Sequence, residues 1–293
     1  MNDDFYNYRL QKDYSKTTIK SQDSYIRRFN KWLSLNEINL QSINYQTILS
    51  FVSDERKKGT SSANLKNRLQ AIRIYLDYKQ ETGIIQGNPA NNIKLQDKQS
   101  KSLLPAITEE TLQTVYKTFA AEEPQNEYRK LLHQRDSIAL GLMIFQGLDS
   151  GDLERLTIKD INLAGGSVYI ASSRKNATRI LKLESLQILS IHQYLTETRI
   201  RLNDKQETRE PFFIKSKISN MVSAIVLKLK QNHPEIVNPR HIRSSVIMNW
   251  LKKYHIRQVQ YMAGHKRVSS TERYRKEDLH SLSQQITKYH PIK

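Results

Sequence analysis

After Gly83 the chain loses its helical periodicity in the run IIQGNPANNIKLQDKQSKSLLP and regains it only beyond Pro105. A stretch that gathers Asn, Gln, Lys and Pro in this way cannot bury an apolar face, so the residues on either side must build separate cores. Two domains are expected, residues 1–95 and 105–293, joined by an exposed linker over 96–104. With 293 residues and 38% hydrophobic content, each has material for a core of its own.

In the first domain, Ile19, Tyr25, Ile26, Phe29, Trp32 and Leu33 recur at helical spacing from Ser15 to Leu35, with Thr17 or Ser15 as N-cap. A second helix is predicted over Asn44 to Lys58, ending at Gly59. A third follows the Thr60-Ser61-Ser62 cap with Leu65, Leu69, Ile72, Tyr75 and Leu76 inward. Together they make a small helical bundle. Ser62, Asn64, Lys66, Arg68 and Arg73 are expected on the outward face of the third helix, where they suit DNA phosphate or base edges; a solvated surface gives the same pattern.

The second domain begins with a helix capped by Thr108 ahead of Glu109 and Glu110, and a buried helix over Ile138 to Phe145 stops near Gly147. Between Leu156 and Leu183 short β-branched runs replace the helical pattern, with turns at Leu163-Ala164-Gly165-Gly166 and Arg174-Lys175-Asn176. This predicts a three-stranded antiparallel sheet. Helices resume over Ser185 to Leu202 and Ile218 to Gln231, and a last one is expected from about Asp278 to Lys288. The fold class is mainly α with a small antiparallel sheet.

Charge narrows the partner. From Arg240 to Lys276 ten basic residues face one acidic residue, and this stretch carries half of the chain's net +18. A phosphate-rich polymer is the natural ligand. No long amphipathic basic helix with exposed aromatics points to a membrane surface. Without cysteine there are no disulfides or thiolate metal sites, and the eight histidines lack metal-ligand spacing, so no metal or cofactor is expected. The start MNDDFYNYRL has neither the basic flank nor the apolar run of a signal peptide, and no apolar segment reaches membrane-spanning length; a cytoplasmic location is expected.

Within the basic stretch, Ile242, Val246, Ile247, Trp250 and Leu251 form the inner stripe of one helix, which brings Arg240 and Arg243 together at its N-terminal end as a phosphate site. Val259 and Met262 face inward on a short helix closed by Gly264, so that His265 emerges just past its C-terminal turn. Ser269 and Glu272 have the spacing of a capping box for a further helix carrying Tyr274. A phenol with an ordinary pKa near 10 becomes a useful nucleophile only where cations stabilise the phenolate and the pentacoordinate phosphorane. Arg240, Arg243 and His265 could supply that field.

The order Arg-His-Ile-Arg, Ala-Gly-His, Ser-Ser-Thr-Glu-Arg-Tyr resembles the tyrosine recombinase (phage integrase) family. The resemblance spans almost the whole chain: Thr17 through Trp32-Leu33, the Thr60-Ser61-Ser62 turn and Gly87-Asn88-Pro89-Ala90 are similar to the helical, SAM-like core-binding domain, and Gln146-Gly147-Leu148 to the first catalytic box. It implies a two-domain clamp on double-stranded DNA. Tyr274 would attack the scissile phosphate to give a 3′-phosphotyrosine and a free 5′-hydroxyl, without metal or nucleotide. Arg243 and His265 would hold the phosphoryl oxygens. Lys175 or Arg174 would protonate the leaving oxygen: lysine is the better acid, whereas register favours Arg174. The resemblance further implies integration, excision or inversion of a mobile element by a homo-tetramer on its DNA site. Leu279, Leu282 and Ile286 of the C-terminal helix would dock into a neighbouring protomer.

Two positions depart from the family pattern. The first arginine is replaced by Asp149, which is expected to cap the next helix; losing one such donor typically costs on the order of 10²- to 10³-fold in rate. Arg155, Arg174 or Arg179 could compensate. The histidine of the middle box is replaced by Arg240, and His241, one residue out of register, is expected to be a partly exposed polar residue pointing away from the site. A rival reading is therefore a catalytically weakened relative that acts as a sequence-specific DNA-binding accessory or regulatory protein.

Overall fold

In the computed structural model, which describes residues 3–95, 104–203, 210–214 and 217–275, the chain divides into two units, Met1–Lys101 and Ser102–Lys293. The expected C-terminal helix and all of the expected linker except Leu104 fall outside the described residues.

Unit 1 is helical. Ser15 Oγ accepts from the amide of Thr18 to start α2 (Lys16–Leu35), Asn44 and Thr47 form a capping box for α3 (Tyr45–Lys57), and Ser61 caps α4 (Ser62–Glu81). These caps satisfy amides that would otherwise be orphaned at each helix start. Most of the apolar stripes meet in one core, where Phe29 and Trp32 stand edge-on to Phe51 at 5.1 and 5.4 Å between centroids, while Ile26 joins Phe5, Ala71 and Ile74 in a smaller cluster. Gly59 ends α3 with φ +78°. A helix that the sequence pattern does not announce precedes these, α1 (Asp3–Gln11). It buries Phe5 and, unusually, Arg9, whose guanidinium donates to Asp23 at 2.7 Å.

Of the α4 residues expected to face outward, the structure exposes only some. Ser62, Asn64 and Lys66 are exposed, but Arg68 turns back to the wholly buried Glu55 and to Thr60. Arg73 donates from Nε to the carbonyl of Ala90 at 2.9 Å and from a terminal nitrogen to that of Ile93. Both are structural ties inside unit 1 rather than outward groups, because a long arginine stem reaches buried acceptors that amphipathic spacing alone does not reveal.

Unit 2 packs its helices around one large core. Thr108 caps α5 (Glu109–Ala120) as expected, while α6 (Glu127–Phe145), capped by Asn126, starts well before the apolar run at Ile138. The chain then turns at Gly147, φ +59°, into the short α7 (Ser150–Arg155). Strands β1 (Ile161–Asn162), β2 (Ser167–Ile170) and β3 (Arg179–Lys182) form the expected antiparallel sheet in the order β1-β2-β3, with Val168 opposite Leu181 on the buried face. Helix α8 (Ser185–Gln193) runs through one π turn, Tyr194–Thr198, into α9 (Arg199–Leu202). Then come α10 (Ile218–Asn232), α11 (Pro239–Lys253) and α12 (Ile256–Ala263), and a helical stretch over 268–275 that carries Tyr274.

Helix α11 is buried on every side from His241 to Asn249, so it runs through the core rather than along its surface. This overturns the expectation for His241, which is 5% exposed: its Nε2 lies 2.8 Å from the carbonyl of Pro105 and its Nδ1 faces the amide of Val237. Rotation by about 100° from the position of Arg240 leads into protein here, not into solvent. No helix among the described residues is long and apolar enough to cross a membrane.

Candidate active site

Three backbone devices bring the functional side chains together. The first is the Gly147 turn, where an added Cβ would stand 2.9 Å from the Trp250 ring; glycine there lets the loop close on α11 and present its carbonyl to Arg243. The second is the end of α12. Gly264 adopts φ +70°, and a Cβ on it would lie 2.5 Å from the Arg179 guanidinium. The third is the loop between β2 and β3, where the Ala177 amide donates to the carbonyl of Gly264 at 2.8 Å and Asn176 bridges to His265.

Arg243 is 9% exposed, and its guanidinium is aimed by four neighbours. One terminal nitrogen donates to the carbonyl of Gly147 and to Asp152 at 3.2 Å; the other donates to the carbonyl of Ala263 at 2.8 Å. The carboxylate of Asp149 stands 3.8 Å away. Counting five N–H groups on the side chain, the contacts above leave Nε and one terminal N–H for a ligand.

Asp152 is the hub beneath this site, and the sequence reading passed over it. Its carboxylate, 1% exposed, accepts from Arg179 at 2.7 Å, from Arg155 at 2.7 Å, from Arg243 at 3.2 Å and from Asn176 at 3.3 Å. Burial alone would raise its pKa, but Arg179 and Arg243 outweigh that and hold the carboxyl below its ordinary range. The only advance sign was the Asp149-x-x-Asp152 spacing of a capping box, and that box is present: Asp149 accepts from the Asp152 amide at 2.9 Å, as expected of a cap.

The compensating cations sort differently. Arg179 is 1% exposed and ion-paired with Asp152, and two of its guanidinium nitrogens have no hydrogen-bond partner among the described residues, so its charge lies beneath the site. Arg155 is held by Asp152 as well. Arg174 and Lys175 stand exposed at the tip of the β2–β3 loop, where Lys266 Nζ donates to the Arg174 carbonyl at 3.2 Å. Arg240 is also exposed, one turn before the buried Arg243, so the two arginines occupy different environments.

His265 and Tyr274 complete the group. Their rings are parallel within 8°, with centroids 5.9 Å apart, and Tyr274 packs on the small cluster of Ile247, Val259 and Ala263. His265 Nδ1 lies 2.8 Å from the hydroxyl of Thr271, which is wholly buried. Burial first, then the charges of Arg243 and Arg179, push the imidazole down to about 4. It is therefore neutral near pH 7 and offers a hydrogen bond, not a charge. The expected capping box at Ser269 and Glu272 is absent: the helix starts at 268, which places Ser269 inside its first turn, and no hydrogen bond joins the two side chains.

Comparison with known proteins adds independent findings. Residues 95–280 match the phage integrase family, and residues 3–83 match the phage integrase N-terminal SAM-like domain. The tyrosine recombinase XerC of Histophilus somni (strain 2336) is 27% identical over 297 residues, covering 98% of this chain and 96% of the relative. Among solved structures, the Tn1549 transposon integrase in complex with a circular intermediate DNA superposes with a TM-score of 0.69 at 14% identity, covering 92% of this chain and 93% of that one. The XerH site-specific recombinase bound to its palindromic difH substrate gives a TM-score of 0.63 at 19% identity, covering 85% and 73%.

Proposed function

The chain belongs to the phage integrase family of tyrosine recombinases, which are site-specific DNA recombinases, and on that premise we propose that it cleaves and rejoins DNA strands through a 3′-phosphotyrosine on Tyr274. The observation that carries this reading is the parallel stacking of Tyr274 on His265, within one loop of the buried Arg243. A phenol, a neutral hydrogen-bond donor and a fixed guanidinium are the parts that phosphoryl transfer to tyrosine requires.

In the proposed reaction Tyr274 Oη bonds to phosphorus as the bond from phosphorus to the 5′ oxygen breaks, and the phenolic proton is released. Arg243 and His265 hold the non-bridging oxygens, and Arg240 adds an exposed cation at the rim. Lys175 or Arg174, on the loop tied to His265, gives a proton to the departing 5′ oxygen. Rejoining is the reverse step with a new 5′-hydroxyl, so bond energy is conserved.

The partner is double-stranded DNA bearing a specific site, bound by a homo-tetramer linked through the C-terminal helix. Integration, excision or inversion of a mobile segment is the role proposed. Chromosome dimer resolution is the second role, favoured by the full-length match to a protein named XerC. Inverted repeats beside the gene, or a conserved chromosomal site away from it, separate the two. The rival reading of a DNA-binding accessory protein draws on Asp149, whose carboxylate stands by Arg243 where the family pattern has a cation.

The test is incubation with a nicked suicide duplex carrying the site, followed by denaturing electrophoresis of wild type and Tyr274→Phe. A covalent adduct in the wild type alone is expected. Tight binding of the site without any adduct would leave only the accessory role.

A further inference from the structure

Thr271 lies three residues before Tyr274 on the same helical stretch, and it is 0% exposed. Its side chain has one hydrogen-bond partner among the described residues, Nδ1 of His265 at 2.8 Å. That distance admits two arrangements. If Nδ1 carried the proton and donated to Thr271 Oγ1, the hydroxyl proton would be left buried with no acceptor, and an unmet buried donor is costly. If the hydroxyl donates to a bare Nδ1, no buried donor is left unmet, and the ring's one proton falls on Nε2 of the part-exposed imidazole.

The surroundings favour the second arrangement. The backbone of His265 is pinned on both sides, its amide donating to the carbonyl of Gln260 at 2.9 Å and its own carbonyl accepting from Gln260 Nε2 at 3.0 Å. Its ring is stacked against Tyr274, and Nε2 has no protein partner among the described residues. Arg243 and Arg179 lie close enough to disfavour a cationic ring. A neutral imidazole with Nδ1 occupied as an acceptor carries its single proton on Nε2.

We propose that Thr271 is a positioning residue for strand cleavage: its buried hydroxyl donates to Nδ1 of His265 and fixes that imidazole as the Nε2–H tautomer, the form that donates a hydrogen bond to a phosphoryl oxygen. The role rests on the recombinase reading of this site. The same contact couples two positions of one helix to the chemistry, since Thr271 sets the histidine that Tyr274 stacks upon.

The test reads the tautomer directly and separately from activity. Long-range proton–nitrogen correlation spectra of the full-length protein, uniformly labelled with nitrogen-15, are recorded for wild type, Thr271→Ser and Thr271→Val, with His265→Gln assigning the signal. Wild type and Thr271→Ser are expected to show a bare Nδ1 and a protonated Nε2, and Thr271→Val a loss of that single-tautomer pattern. Single-turnover cleavage of the suicide duplex should fall about 100-fold in Thr271→Val at unchanged DNA affinity, and return in Thr271→Ser. A protonated Nδ1 in the wild type, or an unaltered pattern in folded Thr271→Val, would overturn the assignment. The absence of any Tyr274 adduct would instead strike at the recombinase reading and leave the spectra standing.

Discussion

The carboxylate of Asp149 stands 3.8 Å from the guanidinium of Arg243, so the buried cation of the site has a partly exposed anion for a neighbour. A phosphate approaching Arg243 meets that anion. Like charges about 4 Å apart oppose each other by roughly 1 kcal/mol even in bulk water.

Asp149→Asn keeps an oxygen to cap α7 and removes the charge. Suicide-duplex cleavage should accelerate about fivefold, with the urea midpoint little changed. Asp149→Arg removes the cap at a cost of about 1 kcal/mol but adds the missing donor, and its cleavage rate should exceed that of Asp149→Asn. Equal or slower rates in both variants would mean that Asp149 does not impede the phosphate.

Gly264→Ala and Gly83→Ala form a matched pair, since both glycines have positive φ, +70° and +73°. Around Gly83 there is open space, so alanine there should cost only the left-handed backbone penalty, about 1 kcal/mol. At Gly264 the new methyl meets the buried Arg179 guanidinium, and the loss should reach about 3 kcal/mol by urea unfolding, together with loss of cleavage. Similar losses in the two variants would refute a packing role for Arg179.

Acid should weaken the fold through His265. The unfolded residue titrates at its ordinary value of 6.5 and the folded one at about 4. Between these values the unfolded chain binds a proton that the folded chain does not. Stability should therefore decline as pH falls from about 6.5 toward 4 and be flat above, and His265→Gln should remove this share of the slope. Cleavage should show no His265 titration between about pH 6 and 9. A rate limb near pH 6.5 that His265→Gln abolishes would contradict a neutral imidazole.

Arg73→Ala should act on stability rather than on DNA. It frees the carbonyls of Ala90 and Ile93, at about 1–3 kcal/mol, while the salt dependence of DNA binding keeps its slope. A slope reduced by about one charge would place Arg73 on the phosphate backbone instead.

Caps and apolar spacing made most helices of both units legible, because Ser15, Asn44, Ser61 and Thr108 each end an irregular stretch and begin a periodic one. The sheet was legible from its β-branched runs. Helix α1 escaped because it buries an arginine along with its phenylalanine, and ion-paired burial leaves no apolar period. His241 was misread for the opposite reason: α11 is enclosed, so no face of its middle turns is polar by position. At the site, Tyr274, Arg243 and His265 were found from motif order, whereas Asp152 draws its partners from β3, from α11 and from the β2–β3 loop, and contacts across such separations are set by tertiary packing alone.

The tie between the β2–β3 loop and His265 has a mechanical meaning. Two contacts of Gly264 and His265 with Asn176 and Ala177, and a third from Lys266 to the Arg174 carbonyl, join the proposed proton donor to the imidazole proposed to bind phosphate as one body. DNA that pulls on the exposed loop tip therefore pulls on the histidine too. Seating of the duplex and readiness of the chemistry become a single movement, and a strand gripped in the wrong register misaligns both groups at once.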